Sequence, residues 1–196
     1  MLDIFAANPT RTYLFNEIKA YAGSKSESYI YGSLQSFVKE GVLIKEKRGG
    51  VTTYQVAESP KAISFLAMTA EFNSWNKKNI PLDSIKETIR KAKLSFLTLI
   101  VTGSYVKGKQ TSGSDLDLVL IVPSEVKKVT ARLKHFGELN IPPIHLYVFT
   151  DEEFKQMLLE EKHNYGKEIV KNNLLFFGAE NYYTIMLEAR KHGFTY

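Results

Sequence analysis

The chain has 196 residues, of which 44% are hydrophobic and 24% charged, and a formal net charge of +5 at pH 7. This length accommodates one large domain or two small ones, and the apolar content excludes a disordered chain. The sequence contains no cysteine, which excludes a disulfide framework and a thiolate metal site. The positive charge is compatible with an anionic partner.

The sequence also bears on cellular location. The N-terminus Met-Leu-Asp-Ile lacks the basic start and the cleavage site of a signal peptide. No apolar run approaches the ~20 residues that a membrane-spanning helix needs. The lack of cysteine fits a reducing compartment. We therefore expect a soluble, cytoplasmic protein that makes no membrane contact.

The first segment of the chain shows three helical patterns. Apolar residues over 2–8 and 13–21 have helical spacing and end at loop-forming residues. Ser24 and Glu27 have the spacing of a capping box, in which each side chain satisfies a backbone N–H of the other residue. This box predicts a third helix over residues 24–41.

Two β-branched runs follow within residues 42–56 and predict a hairpin with a basic tip. This order of two helices, a capped helix and a basic hairpin resembles a winged helix-turn-helix domain. We assign residues 1–58 to this domain. Such folds place the third helix in the DNA major groove and the wing on the backbone. The candidate contacts to duplex DNA are Lys25, Ser28, Tyr31, Gln35, Lys45, Lys47 and Arg48. Because this segment is nearly neutral overall, a docking role or a homodimer interface stays open.

The next segment, residues 59–84, is interpreted as a helical linker. Ser59 suits the N-cap of a helix and Pro60 suits its first position, and apolar residues follow. A second domain is then expected over residues 85–196. Further capping boxes are predicted at Ser84-Ile-Lys-Glu87 and at Thr150-Asp-Glu-Glu153, each at the start of a helix.

Within the second domain, a β-branched run over 96–102 leads directly into Gly103 and Ser104. Ten residues later, Asp115 and Asp117 open another apolar run. Glycine at a strand end allows close approach of a ligand, and N–H groups at a helix start bind phosphate. Side chains alternate along a strand, so the two aspartates are expected on one face. Paired carboxylates beside a phosphate site suit Mg²⁺.

The order Gly-Ser, ten residues, Asp-x-Asp resembles the motif of the nucleotidyltransferase superfamily of DNA polymerase β. The resemblance is specifically to its minimal nucleotidyltransferases. The resemblance implies an α/β (α+β) fold with a mixed sheet and flanking helices. It implies that Gly103 and Ser104 hold the β- and γ-phosphates of an NTP, with ATP as the first candidate. It also implies that Asp115 and Asp117 bind Mg²⁺ while a nucleotidyl group passes to a hydroxyl acceptor and pyrophosphate leaves.

Three polar residues between the two motifs are further candidates for nucleotide binding, namely Lys107, Lys109 and Ser114. The two lysines would neutralise a triphosphate. The alternative is that they belong to a solvated surface.

Members of the family bring a third carboxylate from the neighbouring strand, and here the aligned residue is His145 in the run 144–149. Imidazole is a poor ligand for Mg²⁺, which prefers oxygen. Two readings stay open. A neutral His145 takes the proton of the acceptor, or the site binds nucleotide with weak or absent turnover.

Two function classes follow. The first is a Mg²⁺-dependent enzyme that modifies a protein or a small hydroxyl compound; some relatives are antitoxins that modify a HEPN-type toxin. The second is a DNA-binding regulator or antitoxin-like protein whose nucleotidyltransferase domain is catalytically weak.

Overall fold

The computed structural model describes residues 1–196, with the exception of the side chain of Arg48. The first half contains α1 (Asp3–Ala7), β1 (Tyr13–Leu14), α2 (Phe15–Ala22), α3 (Glu27–Lys39), β2 (Leu43–Arg48), β3 (Val51–Val56) and α4 (Pro60–Trp75). The second half contains α5 (Leu82–Ala92), β4 (Thr98–Val101), β5 (Leu116–Val122), α6 (Val126–Leu139), β6 (Ile144–Thr150), α7 (Asp151–Leu159), α8 (Tyr165–Lys171), β7 (Leu174–Phe177) and α9 (Ala179–Lys191).

The strands of the first half form a small antiparallel sheet in the order β1-β3-β2, joined to the helices α1 to α3. The predicted second helix begins too early, because Tyr13 pairs with Tyr54 of β3 and belongs to a strand. The carboxylate of Glu17 accepts a hydrogen bond from the N–H of Leu14 at 2.8 Å, and the helix then starts at Phe15.

The capping box predicted at Ser24 and Glu27 is wrong. Helix α3 begins at Glu27, and its N-cap is Ser26, whose hydroxyl accepts a hydrogen bond from the N–H of Tyr29 at 3.3 Å. The carboxylate of Glu27 forms an ion pair with Lys19 at 2.8 Å. The side chain that would have closed the box is therefore held by the neighbouring helix.

Helix α4 lies in the segment that we interpreted as a linker. Its predicted start is confirmed, since Ser59 caps it and Pro60 occupies its first turn. The helix packs against α1, β7 and α9, and the indole N–H of Trp75 donates to the carbonyl of Phe176 at 2.9 Å. One hydrophobic core runs from α1 through α4 into α9. The segment is thus part of the packed body, and the domain bounds stay a prediction.

The sheet of the second half has the order β6-β5-β4-β7, in which β5 and β6 are parallel and the other pairs antiparallel. Its apolar side chains alternate between two cores. One face packs on α5 and α6, and the other on α7, α8 and α9. This mixed sheet with flanking helices agrees with the predicted α/β architecture.

Several predicted boundaries in this half differ from the structure. Strand β4 covers only Thr98–Val101, and the hydroxyl of Thr102 just after it donates to the carbonyl of Asn172 at 2.7 Å. The capping box predicted at Ser84 is wrong, since α5 begins at Leu82 and the Ser84 hydroxyl accepts a hydrogen bond from Asn140. The box at Thr150, in contrast, is confirmed.

Among the described helices, none combines the length and the apolar character needed to cross a bilayer.

Candidate active site

The candidate site forms where the end of β4 meets the start of β5. These strands are antiparallel, with Val101 opposite Leu118, and the N–H of Thr102 donates to the carbonyl of Asp117 at 3.0 Å. The next residue, Gly103, has φ +73°, and a Cβ there would lie 2.0 Å from Oδ2 of Asp117. Glycine is therefore required by the backbone conformation and by the adjacent carboxylate.

The chain after Gly103 forms a hydrogen-bonded turn. The N–H of Lys107 donates to the carbonyl of Gly103 at 3.3 Å, and the N–H of Lys109 donates to that of Ser104 at 3.0 Å. A helical turn of this kind leaves its first N–H groups without acceptors in the turn itself. Such groups can bind an anion.

Asp117 is the carboxylate at the centre of the site, and its side chain is 28% exposed. Burial raises its pKa, and the negative charge of Asp115 raises it further, while His145 and Lys107 oppose the shift. A nearby cation stabilises the charged form of a partly buried carboxylate that lies beside a second carboxylate. The electrostatics of this position suit a positively charged ligand.

Asp115 precedes β5 and is exposed, so it lies on the loop before the strand rather than in it. Its charge still acts on Asp117. Within the part of the chain that the structure describes, no three side chains of the His, Cys, Asp and Glu types are arranged to hold a metal. Two carboxylates alone offer an incomplete set for Mg²⁺, which in such sites also takes substrate phosphates and water.

His145 lies beside Asp117, as expected from the sequence. The two residues are opposite each other in the parallel pairing of β5 and β6, and Nδ1 of His145 lies 3.5 Å from Oδ1 of Asp117. The hydroxyl of Tyr147 lies 3.3 Å from the same nitrogen. The imidazole is 57% exposed, so an incoming molecule can reach it.

A pocket of about 170 Å³ opens between the turn, the ends of the strands and α8. It is lined by Thr102, Gly103, Lys107, Asp117, Tyr147, Tyr165, Glu168 and Asn172. Complete ligand pockets usually measure ~300 Å³ or more, so this space would enclose only part of a ligand. It brings together the predicted residues Gly103, Lys107 and Asp117.

Five lining residues were not identified as site residues from the sequence: Thr102, Tyr147, Tyr165, Glu168 and Asn172. Thr102 directly precedes Gly103. Tyr147 could have been identified from the sequence, because it lies two residues beyond His145 on one strand and therefore on the same face. The other three come from α8 and its C-terminal end. No motif links α8 to the Gly-Ser turn in the sequence.

The remaining nucleotide-binding candidates do not line this pocket. Ser104 lies in the turn, and Lys109 is exposed after it. The hydroxyl of Ser114 accepts a hydrogen bond from the N–H of Thr111 at 2.9 Å, which closes the loop before β5. Ser114 thus has a local structural contact.

The DNA-binding candidates of the first half are partly brought together. Ser28, Tyr31 and Lys45 line a cleft of about 700 Å³ between α3 and the β2–β3 hairpin. Nζ of Lys45 lies 5.3 Å from the centre of the Tyr31 ring. Lys47 is exposed on the hairpin, and Gln35 is half-buried on α3.

Two other candidates lie outside this cleft. Lys25 lies just before α3, and its Nζ is 5.4 Å from the centre of the Tyr29 ring. The side chain of Arg48 lies outside the described part of the chain.

Comparison with known proteins concerns the second half of the chain. Residues 82–176 match the family model described as a nucleotidyltransferase domain. No curated protein and no solved structure matches the chain. The matched segment runs from the start of α5 into β7 and contains the Gly103 turn, both aspartates and His145. Residues 82–176 are therefore similar to nucleotidyltransferase domains.

Proposed function

We propose that the protein is a Mg²⁺-dependent nucleotidyltransferase that binds an NTP, with ATP as the first candidate, and transfers its nucleotidyl group to a hydroxyl acceptor. The observation that carries this proposal is one pocket, within the matched domain, that contains the Gly103 turn, Lys107 and the Asp117 carboxylate. The acceptor belongs to a protein, such as a HEPN-type toxin, or to a small hydroxyl compound.

The residues present fit a nucleotide with Mg²⁺. N–H groups of the turn after Gly103 and the ammonium group of Lys107 would bind the β- and γ-phosphates. Asp115 and Asp117 would hold Mg²⁺, because their oxygens are its preferred ligands. When bound, Mg²⁺ polarises the phosphate oxygens and stabilises their charge.

Because of His145, the residues around the proposed Mg²⁺ position are not all oxygen ligands. Its imidazole contacts Asp117 at 3.5 Å and would add a nitrogen where Mg²⁺ prefers oxygen. The acceptor must therefore be positioned with less help from the metal. We propose that the domain binds nucleotide well and that its turnover is slow.

Replacing either aspartate tests the site. Asp115→Asn and Asp117→Asn keep the side-chain shape but remove a negative charge, so each is expected to lower the Mg²⁺-dependent affinity for ATP by about tenfold or more, ~1.4 kcal/mol. Isothermal titration with and without Mg²⁺ measures this loss. Asp83→Asn is the control, because Asp83 lies on α5 with its side chain 98% exposed. Equal affinities in all four proteins would refute the assignment.

A second candidate function is DNA binding by the first half, in a regulator or antitoxin-like protein with a weak transferase domain. The observation that favours it is the cleft shared by Ser28, Tyr31 and Lys45 between a capped helix and a hairpin. This arrangement is compatible with a winged helix-turn-helix, whose helix reads bases and whose wing contacts phosphates. Protein docking or homodimer formation through the same surface is the alternative.

Removing the basic wing tests this second function. In the full-length protein, Lys47→Ala combined with Arg48→Ala is expected to weaken binding to all duplexes and to reduce the salt slope by about two, because two phosphate contacts are lost. Gln35→Ala should instead relax sequence preference. Fluorescence anisotropy at several salt concentrations measures both effects, with Lys86→Ala on α5 as the control. Wild-type protein that binds no duplex at low salt would indicate a docking unit.

A further inference from the structure

Two tyrosines, Tyr147 and Tyr165, line the pocket that we assign to the reacting phosphate. We propose that Tyr147 is a built-in acceptor, so that the domain transfers one nucleotidyl group to the phenolic oxygen of its own Tyr147. This inference rests on the proposed function and deepens it by naming an acceptor.

The position of Tyr147 follows from the sheet. His145 and Tyr147 are two residues apart on β6, so their side chains share one face. His145 is opposite Asp117 in the pairing of β5 and β6, which places this face beside the proposed metal carboxylate. Tyr147 also lines the pocket together with the Gly103 turn and Lys107. The phenol therefore borders the space assigned to the phosphates.

The ring of Tyr147 lies close to two other rings. Its centre lies 4.5 Å from that of His145 and 4.5 Å from that of Tyr165. Its hydroxyl lies 3.3 Å from Nδ1 of His145. An acceptor that is already positioned reacts at a high effective concentration, on the order of 10⁵ M or more in well-oriented cases. Such positioning compensates for the missing third carboxylate in a single transfer.

Tyr165 is the other phenol in the pocket, and it is the poorer acceptor. Burial, and next the neighbouring Tyr147 and Asp117, raise the pKa of Tyr165, so it retains its proton strongly. Tyr147 instead contacts an imidazole nitrogen. In the tautomer with hydrogen on Nε2, Nδ1 of His145 can accept the phenolic proton.

The proposed step is a balanced displacement. The phenolic oxygen of Tyr147 forms a bond to the α-phosphorus of the NTP. The bond from that phosphorus to the bridging oxygen breaks, and pyrophosphate leaves with the electron pair. The phenolic proton passes to Nδ1 of His145. The product is a phosphodiester between the nucleoside and Tyr147.

Covalent labelling tests the proposal. The full-length protein is incubated with Mg²⁺ and each of the four NTPs labelled at the α-phosphate, then denatured, digested and analysed by mass spectrometry. We expect about one nucleotidyl group per chain on the peptide that contains Tyr147, and a loss of about tenfold or more in Tyr147→Phe. The phenylalanine ring can keep both ring contacts, so this variant should fold.

The outcomes separate the acceptor from the proposed function. Protein that binds NTP with Mg²⁺ but acquires no label overturns the Tyr147 proposal alone. Label that survives Tyr147→Phe and disappears in Tyr165→Phe overturns it in favour of the other phenol. Failure to bind any NTP in the presence of Mg²⁺ overturns the proposed function, and the acceptor proposal with it.

Discussion

Gly103→Ala is expected to abolish Mg²⁺-dependent nucleotide binding, with a loss of about a hundredfold or more, although it adds only one methyl group. The new Cβ would lie 2.0 Å from Oδ2 and 2.9 Å from Cγ of Asp117. Either the carboxylate moves out of the pocket or the turn moves away from the strand. Both movements separate the proposed phosphate-binding turn from the proposed metal ligand.

The adjacent Gly108 supplies a matched control. Its φ of +64° is close to the +73° of Gly103, but an added Cβ would meet no heavy atom within 4 Å. Gly108→Ala therefore carries the backbone strain of about 1 kcal/mol without the collision. Calorimetric titration with ATP and Mg²⁺, together with thermal unfolding, distinguishes the two. Equal losses of affinity in both variants would show that backbone strain, and not displacement of Asp117, is responsible.

The centre of the site could be predicted because its signals are local. A buried strand, Gly103 at its end and Asp117 at the start of the next strand are close in sequence, and the strand pattern brings them together. The expected position of His145 came from the resemblance to minimal nucleotidyltransferases, whose third carboxylate lies on the neighbouring strand. The parallel register then sets His145 opposite Asp117.

The α8 wall of the pocket could not be predicted. Tyr165 and Glu168 follow Asp117 by a long stretch of chain, and their approach depends on how α7 and α8 pack on the sheet. The prediction of capping boxes is limited in the same way by contacts between distant parts of the chain. Thr150 caps its helix as predicted, whereas Glu27 and Ser84 are held by residues from other helices or loops. Tertiary contacts thus override a local pattern where a competing group is near.

Helix α4 packs against elements of both halves of the chain, although we interpreted its segment as a linker. Its sequence is apolar around most of its circumference, and such a helix is typical of a buried position between two layers. Ala62 and Leu66 are fully buried, and the carboxylate of Glu71 accepts a hydrogen bond from the N–H of Ala179 at the start of α9. The two halves are therefore packed together through one helix.

The largest gain of activity is expected from His145→Asp. The register of β5 and β6 would place the new carboxylate beside Asp117, where Mg²⁺ could use its oxygen. We expect steady release of pyrophosphate from the NTP to rise by about tenfold or more. His135→Asp, on the exposed side of α6, makes the same chemical change outside the site and should leave the rate unchanged.

The gain has a second readout that does not depend on turnover. Without metal, an added carboxylate next to Asp117 repels it and destabilises the fold, whereas bound Mg²⁺ removes this repulsion. The rise in Tm on adding Mg²⁺ should therefore be larger in His145→Asp than in the wild type, since ligand binding stabilises the folded state. An unchanged Tm shift would show that position 145 does not reach the metal.

His145→Ala distinguishes the two readings of this residue. If the wild-type site lacks a metal ligand, alanine removes nothing that the metal uses, and the low steady rate of pyrophosphate release stays nearly the same. If the imidazole takes the proton of an external acceptor, the wild-type rate is substantial and alanine lowers it by about 10² or more. We expect the first result, because Nδ1 of His145 lies between Asp117 and Tyr147 and contributes nitrogen where Mg²⁺ prefers oxygen.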